Sequence, residues 1–325
     1  MMRAVAEPTR MRVLALLVHG ELSVKDMTRI LGQSQPRISR HLKLMTEAGL
    51  LERLPDGSWA YFQLAERGAG RVFVNSILNA IDLDDPVLAR DRVRAETIKR
   101  EREAAAQEYF QRNAPEWDRI RALHVAEDDV EVAVRDALDE GPFQLLVDLG
   151  TGTGRMLELF AGHYERAIGF DINHSMLAYA RGRIEALGND KASVRHSDLY
   201  DLALDDGEAD AVVMHQVLHF LTEPALAMKE AARVLAPGGR MVIVDFAPHN
   251  LNFLREDFAH ERLGIANAQM EQWLADAELD LVATRCLEQS EDGAAGRLTV
   301  TLWTARNGGV AARPKVRGEQ STIEA

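Results

Sequence analysis

The feature that most constrains this chain is a glycine-rich turn placed directly after an apolar run. Residues 145–149 form the run and include one acid, Asp148, and the turn that follows has glycine at 150, 152 and 154. Glycine lets a backbone adopt left-handed torsions and approach a ligand closely. The dinucleotide pattern Gly-x-Gly-x-x-Gly is not met, because the third glycine comes one position too early and Arg155 stands where the pattern requires glycine. A phosphate-binding P-loop is not met either, because no Lys-Ser/Thr pair follows the glycines. The turn therefore predicts a ligand without a pyrophosphate and with a charged amino-acid tail.

Strand-like and helix-like segments alternate from residue 143 onwards, which predicts a mostly parallel sheet packed against helices. The predicted strands are 145–149, 167–170, 192–196, 211–215, 241–246, 281–287 and 298–305. Asp171 ends the second strand, where a carboxylate can accept hydrogen bonds from both hydroxyls of a ribose. Asp198 ends the third strand and is placed for an adenine amine, with Leu199 to pack against the ring. Each carboxylate alone could be a strand-end cap, but together with the glycine turn they predict a ligand that contains adenosine.

The first 83 residues follow the order of a winged helix-turn-helix, a fold that is mostly helical with a β-wing. The predicted elements are helices over 7–17, 24–31 and 34–45, then strands over 50–54 and 59–64 joined by a turn at Asp56-Gly57. In the third helix Ile38, Leu42 and Met45 recur at helical spacing, so we expect them to face the core.

The third helix carries the side chains expected to read DNA. In a helix-turn-helix the second helix of the motif lies in the major groove, where Arg and Lys reach guanine edges and phosphates. Residues 34–45 contain no acid that would repel phosphate. The residues predicted to contact DNA are Gln35, Arg37, Ser39, Arg40, His41, Lys43 and, from the wing, Arg53. The alternative is a winged helix that is used only for protein contacts.

Charge is distributed unevenly along the chain. The net charge is −13, but residues 1–83 contain eleven Lys/Arg and eight Asp/Glu, a net charge of +3, which leaves −16 for the remainder. Such an asymmetry favours contact of the first part with phosphates. Cys286 is the only cysteine, which excludes an intrachain disulfide and a multi-cysteine metal site. The sequence shows no secretory signal and no apolar run of the ~20 residues that span a bilayer, so we expect a cytoplasmic protein without membrane contact.

Residues from about 84 to 111 are dominated by Arg, Glu and Ala, and predict a linking helix within which the boundary between two domains lies. The predicted organisation is a winged-helix domain over 1–83, the linking helix over 84–107, a second domain over 108–306 and a disordered tail over 307–325.

The first domain resembles the ArsR/SmtB family of bacterial repressors. Residues 7–14 resemble the opening helix of that family, 34–43 its recognition helix, and 48–61 the helix end and the wing. The resemblance implies a homodimer on a two-fold-symmetric operator of double-stranded DNA, with residues 70–81 as the dimer helix. The arsenic sensors of the family place a Cys-x-Cys pair where this chain has Ser23-Val24-Lys25, so thiolate sensing of metalloids is excluded and no metal is expected.

The second domain resembles class I S-adenosylmethionine-dependent methyltransferases, and among them the small-molecule enzymes of quinone biosynthesis. The similar segments are 147–154, 171, 197–199, 212–221 and 230–240. The resemblance implies an α/β Rossmann-like, seven-stranded sheet with an antiparallel final strand, which binds S-adenosylmethionine or S-adenosylhomocysteine. It implies that Asp148 orients the methionine amino group, that Asp171 holds the ribose, and that Tyr109, Phe110 and Trp117 cover the cofactor. The cofactor-binding residues implied in this way are Asp148, Gly150, Thr151, Gly152, Gly154, Asp171, Ile172, Met176, Asp198, Leu199, His215 and Tyr109.

No acceptor for a methyl group is indicated by the sequence. Methyl transfer from a sulfonium needs mainly alignment and sometimes a base, for which the candidates are His215, His219, His249 and His260. Arsenite methyltransferases need several cysteines, and this chain has one. Amino methyltransferases of nucleic acids usually carry Asn/Asp-Pro-Pro-aromatic after the fourth strand, where this chain has histidine at 215 and glutamine at 216.

Two functions therefore stay open. In the first, the chain resembles bacterial regulators of the methionine cycle that respond to S-adenosylhomocysteine, and the second domain is a sensor that alters DNA affinity. In the second, it is a methyltransferase of a small-molecule acceptor with a fused autoregulatory winged helix. The absence of an evident acceptor site favours the sensor, and an enclosed acceptor cavity next to the cofactor would favour the enzyme.

Overall fold

The computed structural model describes residues 1–56, 59–65, 67–122, 127–138, 141–287 and 298–309. Gly57 of the predicted hairpin turn and residues 310–325 of the predicted tail lie outside these ranges.

Four helices open the chain: α1 (Met2–Val5), α2 (Pro8–Leu17), α3 (Val24–Leu31) and α4 (Gln35–Glu47). Local capping explains two of the starts. The Glu7 carboxylate accepts a hydrogen bond from the backbone N–H of Arg10 at the start of α2, and Ser23 and Asp26 form a reciprocal capping box at the start of α3. Gly32 adopts a left-handed conformation and ends α3, as the sequence predicts.

A small antiparallel sheet and one further helix complete the winged-helix domain, which we call the head (residues 1–83). The strands β1 (Leu22–Ser23), β2 (Leu51–Asp56) and β3 (Trp59–Leu64) pair in the order β1-β3-β2. The predicted face of α4 is fully buried, because Ile38, Leu42 and Met45 are each 0% exposed. The predicted dimer helix forms as α5 (Gly68–Leu78), and Val72 on it is 68% exposed.

The linking helix forms as α6 (Pro86–Asn113), close to the predicted segment of about 84–111, and it therefore extends past the predicted domain boundary at 107. It ends just before Pro115, which cannot continue a helix. Its first half packs on the head, where Ile98 is 7% exposed and belongs to the core of α2, α3 and α4. The Asp91 carboxylate, also on α6, is paired with Arg12 of α2.

The remaining elements form the C-terminal domain. They are, in chain order, a 3-10 helix (Ala114–Glu116), α7 (Trp117–Ala122), α8 (Glu127–Leu138), β4 (Phe143–Leu149), α9 (Arg155–Leu159), β5 (Tyr164–Asp171), α10 (His174–Ala186), β6 (Ala192–His196), β7 (Ala209–His215), a 3-10 helix (Leu218–Phe220), α11 (Pro224–Val234), β8 (Leu235–Phe246), α12 (Phe253–Asp257), α13 (Asn267–Asp276), β9 (Asp280–Leu287) and β10 (Val300–Arg306).

The seven strands β4–β10 form one sheet in the order β6-β5-β4-β7-β8-β10-β9. Strands β4 to β8 pair in parallel, and β10 lies antiparallel between β8 and β9, so the predicted seven-stranded sheet with an antiparallel final strand is confirmed. The strand order reverses at β4, which has β5 on one side and β7 on the other. In open sheets of this kind the ligand binds at the carboxyl ends of the strands beside such a reversal.

No helix in the described part of the chain is both long and apolar enough to cross a membrane.

Candidate ligand cavity and DNA-facing surface

The glycine turn after β4 adopts the strained backbone that its sequence predicts. Gly150, Gly152 and Gly154 have φ values of 73°, 52° and 82°, a region that other residues rarely adopt. A Cβ atom on Gly150 would lie 2.3 Å from Cγ2 of Val217, so a larger residue does not fit there. The turn is anchored by the backbone N–H groups of Gly150 and Thr151, which both donate to the carbonyl of Phe170 at 2.9 Å.

Two of the predicted carboxylates are held by the turn itself. Asp148 is 1% exposed and accepts a hydrogen bond of 2.6 Å from the Thr151 hydroxyl. Asp171 accepts from the backbone N–H of Gly152 at 2.9 Å and from that of Asn173 at 2.8 Å. Burial raises the pKa of the Asp171 carboxyl, although these backbone donors act in the opposite direction. Both side chains are therefore orientated before any ligand binds.

A cavity opens at this edge of the sheet, and most of the predicted cofactor-binding residues line it. Those present are Asp148, Gly150, Thr151, Gly152, Asp171, Ile172, Met176, Asp198, Leu199 and His215. Gly154 does not line the cavity. A Cβ atom on Gly154 would lie 3.1 Å from the Cβ of Ala180, so the absence of a side chain lets the start of α9 pack closely on α10. Tyr109 does not line the cavity either and faces a smaller cavity described below.

The linking helix provides one wall of the cavity, and among the residues of this wall only Phe110 was expected near the ligand. Glu103, Ala106, Gln107 and Phe110 of α6 all line the space. The wall is attached to the sheet by Asn173, whose side-chain amide donates to the backbone carbonyl of Gln107 at 3.1 Å and to its Oε1 at 2.9 Å. These contacts depend on tertiary packing, which helix periodicity alone does not reveal.

Negative charge predominates around the cavity. Glu103, Asp148, Asp171 and Asp198 line it, and the lining cation Arg155 is already bound to two other acids, Glu131 and Glu158. Such a surface favours a ligand that carries positive charge, such as an ammonium or a sulfonium.

Aromatic side chains close the other side of the cavity. The ring centroids of Phe110 and Phe220 are 4.8 Å apart, and those of Phe110 and Trp117 are 5.2 Å apart. Behind this cluster lies a second cavity of about 30 Å³, which is lined by Tyr109, Trp117, Ile120, Gln216, His219, Phe220, Phe246, Leu254, Phe258, His260 and Leu298. Burial raises the pKa of Tyr109 to about 12. Since Trp117, Gln216 and Phe220 line both cavities, the second lies directly next to the first.

The four candidate bases occupy different places. His215 lines the main cavity. His219 is 2% exposed, and its Nδ1 lies 2.7 Å from Oδ1 of Asp245, which is 0% exposed. His260 lines the small cavity, with its ring centroid 4.3 Å from that of His219. His249 is not among the residues that line either cavity.

The predicted DNA-contacting residues mostly form one exposed surface of the head. Gln35, Arg37, Ser39, Arg40 and Lys43 of α4 and Arg53 of β2 are exposed. His41 differs, because its side chain is 12% exposed and Nδ1 lies 3.9 Å from Oε2 of Glu7. Burial lowers the pKa of His41. His41 thus packs towards α2, and its direct contact with DNA stays a prediction that this geometry does not favour.

Comparisons with known proteins agree with this two-part structure. A model of the bacterial regulatory protein arsR family matches residues 7–53, and a methyltransferase-domain model matches residues 147–243. The arsenical resistance operon repressor of Escherichia coli (strain K12) is 44% identical over 64 residues, which are 19% of this chain and 55% of that protein. A demethylmenaquinone methyltransferase of Clavibacter sepedonicus is 30% identical over 168 residues, which are 51% of this chain and 67% of that protein.

A third relative and two solved structures complete the comparison. A 37.1 kDa protein in transposon TN4556 of Streptomyces fradiae is 40% identical over 33% of this chain and 32% of its own length. The chain thus spans from about a third to about two thirds of the curated relatives named here. A SAM-dependent methyltransferase of Thermotoga maritima is 20% identical with a TM-score of 0.50 over 62% of this chain and 99% of its own. The cyclase SpnF is 18% identical, also with a TM-score of 0.50, over 57% of this chain and 82% of its own, so this fold is not restricted to methyl transfer.

The methyltransferase-domain match includes the glycine turn, Asp171, Asp198 and His215, and confirms the expected ligand class, S-adenosylmethionine or S-adenosylhomocysteine. The chain belongs to the methyltransferase family through its C-terminal domain, and its head matches the model of the bacterial arsR regulatory family over residues 7–53.

Proposed function

We propose that this protein is a cytoplasmic transcriptional regulator that binds DNA as a homodimer and senses S-adenosylmethionine or S-adenosylhomocysteine through its C-terminal domain. The observation that carries the proposal is the aromatic cluster beside the ligand cavity. The adjacent space measures about 30 Å³, which is room for one or two water molecules. A methyl acceptor has no place there while Phe110, Trp117 and Phe220 occupy their present positions.

The linking helix supports the same proposal, because it belongs to both sites. Asp91 and Ile98 hold its first half to the head, and Glu103 and Gln107 line the ligand cavity a few residues further on. A ligand that contacts α6 thereby contacts an element of the DNA-binding domain. A difference of about 1–3 kcal/mol in ligand affinity between two arrangements of the head is enough for regulation.

Dimerisation is proposed through α5. Val72 is 68% exposed there, whereas Phe73 and Ile77 of the same helix pack against the core of the head. An exposed apolar side chain on a helix is covered when two copies of that helix pack against each other. Sedimentation equilibrium should give twice the monomer mass for the wild type, and a monomer for Val72→Glu.

The test of the regulator is DNA-binding affinity measured by fluorescence anisotropy, with DNA from upstream of its own gene, at fixed salt. The protein is measured alone, with S-adenosylmethionine and with S-adenosylhomocysteine, and a scrambled DNA serves as the control. We expect the two ligands to change the affinity to different extents, and we expect Asp171→Ala to remove the response. Specific DNA binding that ignores both ligands would contradict the sensor.

A second candidate function, methyl transfer to a small molecule, is favoured by the pair His219–Asp245. A buried carboxylate 2.7 Å from a histidine nitrogen is an arrangement that orientates a general base. Trp117 and Phe220 would have to move to admit an acceptor. Release of S-adenosylhomocysteine in the presence of a panel of phenols, quinols and amines tests this candidate, and loss of that release in His219→Asn would assign the base.

A further inference from the structure

A buried arginine connects the ligand cavity with the head. The side chain of Arg262 is 7% exposed and forms an ion pair with Glu21, which precedes β1 of the head. Its guanidinium lies 5.0 Å from the ring centroid of Tyr61 in β3, and Nη2 donates to the backbone carbonyl of Thr222 at 3.4 Å. One side chain therefore contacts β3 and the residue before β1 in the head, as well as the loop that lines the cavity.

The cavity side of this connection is the loop of residues 217–222, which we call the cavity loop. Val217, Phe220 and Thr222 of this loop line the ligand cavity. The carbonyl of His219, in the middle of the loop, accepts hydrogen bonds from the backbone N–H groups of Glu261 at 2.9 Å and Arg262 at 3.0 Å. A shift of the cavity loop is thus transferred directly to the backbone of residues 261–262.

A second set of contacts, made by Glu261, also joins the C-terminal domain to the head. The Tyr61 hydroxyl donates to Oε1 of Glu261 at 2.9 Å. Arg102 of the linking helix bridges Glu261, at 2.7 Å, and the buried Asp26 of the α3 capping box. These six residues form the interdomain cluster: Glu21, Asp26, Tyr61, Arg102, Glu261 and Arg262.

The interdomain cluster is sensitive to position because its charges are buried. Burial lowers the pKa of Arg262 to about 9 and raises the pKa of Glu261. Buried charges are tolerated only when their partners stay in contact, so the cluster favours one arrangement of the two domains and disfavours small displacements. Two discrete arrangements of a packed interface are what allosteric coupling requires.

We infer that Arg262 is the positioning residue through which the cavity loop sets the orientation of the wing and of α3. The inference rests on the proposed function, since it names the route by which the bound ligand alters DNA affinity. A ligand that fills the cavity contacts the cavity loop, the loop displaces residues 261–262, and Arg262 and Glu261 carry that displacement to Glu21 and Tyr61.

The decisive variant is Arg262→Met combined with Glu21→Gln. Methionine keeps an unbranched apolar side chain against Tyr61, and glutamine avoids a stranded carboxylate, so the pair is designed to fold. The measurement is the ratio of DNA affinities with and without ligand, together with ligand affinity by isothermal titration calorimetry. We expect the wild-type ratio of about 5–150 to fall to about 1, while ligand affinity changes by less than about threefold.

Two further variants make the test specific. Arg67→Ala removes another contact between the domains, the exposed bond of 2.8 Å from Arg67 to Gln272, and should leave the ratio unchanged. Tyr61→Phe removes only the hydroxyl that donates to Glu261, and should lower the ratio even if the double variant fails to fold. A retained ratio in the folded double variant, a retained ratio in Tyr61→Phe, or an equal loss in Arg67→Ala would each overturn the inference. A wild type without any ligand effect would instead refute the proposed function itself.

Discussion

The ion pair between Arg12 of α2 and Asp91 of α6 attaches the linking helix to the head. Arg12 Nε lies 2.5 Å from Asp91 Oδ2 and Nη2 lies 2.8 Å from Oδ1, so the contact is bidentate. The Asp91 side chain is 1% exposed and the Arg12 side chain 17%. Removal of the cation leaves a carboxylate that water does not reach, whereas removal of the anion leaves a guanidinium that is partly solvated.

The two single variants should therefore differ in cost. Arg12→Met strands a buried charge, for which the expected loss in the free energy of unfolding is about 3–5 kcal/mol. Asp91→Asn keeps one oxygen that accepts a hydrogen bond, and its expected loss is about 1–3 kcal/mol. The double variant Arg12→Met/Asp91→Leu leaves no charge behind and should be closer to the wild type than Arg12→Met is.

The assay is differential scanning calorimetry of the full chain, with hydrogen exchange of α2 and α6 peptides to identify the transition of the head. At about 4–8 °C per kcal/mol for a domain of this size, Arg12→Met should lower that transition by at least about 12 °C. The matched control is Arg29→Met, which also breaks a pair between the head and α6, at 2.7 Å from Glu101, but with side chains 48% and 54% exposed. It should cost about 0–1 kcal/mol. Equal losses for Arg12→Met and Arg29→Met would refute the reasoning from burial.

Three further predictions concern the two sites. Gly169→Ala should lower ligand affinity at least about fivefold by calorimetry, because its Cβ would lie 2.5 Å from Oγ1 of Thr151 and overpacking costs about 1–3 kcal/mol. Unchanged affinity would mean that the turn adapts to the added methyl group without cost. Ligand affinity should fall as the pH is lowered through the raised pKa of Asp171, because the protonated carboxyl loses acceptors for ribose hydroxyls, and this fall should occur at a higher pH than for an ordinary aspartate. Asp171→Asn should bind the ligand weakly, with an affinity that does not depend on pH in this range. If the affinity of that variant keeps the pH dependence of the wild type, another group is responsible for the titration. Arg40→Ala should weaken operator binding and reduce the slope of log affinity against log salt by about 1. Lys229→Ala, an equal charge change on the exposed side of α11 in the C-terminal domain, should do neither.

The sequence was sufficient for features that depend on local chemistry. The glycine turn, the strand ends at Asp171 and Asp198, and the apolar face of α4 all follow from spacing and backbone torsion, and they lie as predicted. Linear patterns do not encode which distant surface a helix covers. Glu103 and Gln107 are polar residues on a charged helix and look like solvated positions until the packing of α6 on the sheet brings them into the cavity.

The interdomain cluster escaped prediction for a related reason. Arg262 and Glu21 are 241 positions apart in the sequence, and an isolated charge in a loop predicts exposure. Gly169 gives a different example, because glycine within a strand usually weakens it. Here the missing side chain makes room for Thr151, whose hydroxyl holds Asp148.

The pair His219–Asp245 bears on the choice between sensor and enzyme, because the same geometry has a structural explanation. Asp245 accepts both from the backbone N–H of His219, at 3.2 Å, and from that of Phe246, at 2.7 Å, in addition to its contact with the imidazole ring. It thereby fixes residue 219 from two sides. The carbonyl of that residue is the acceptor for Glu261 and Arg262, so a firmly held His219 is what transfer of movement from the cavity loop to the head needs. If His219→Asn abolishes the effect of ligand on DNA affinity while ligand still binds, the pair belongs to the coupling route, and its presence beside the cavity ceases to be an argument for catalysis.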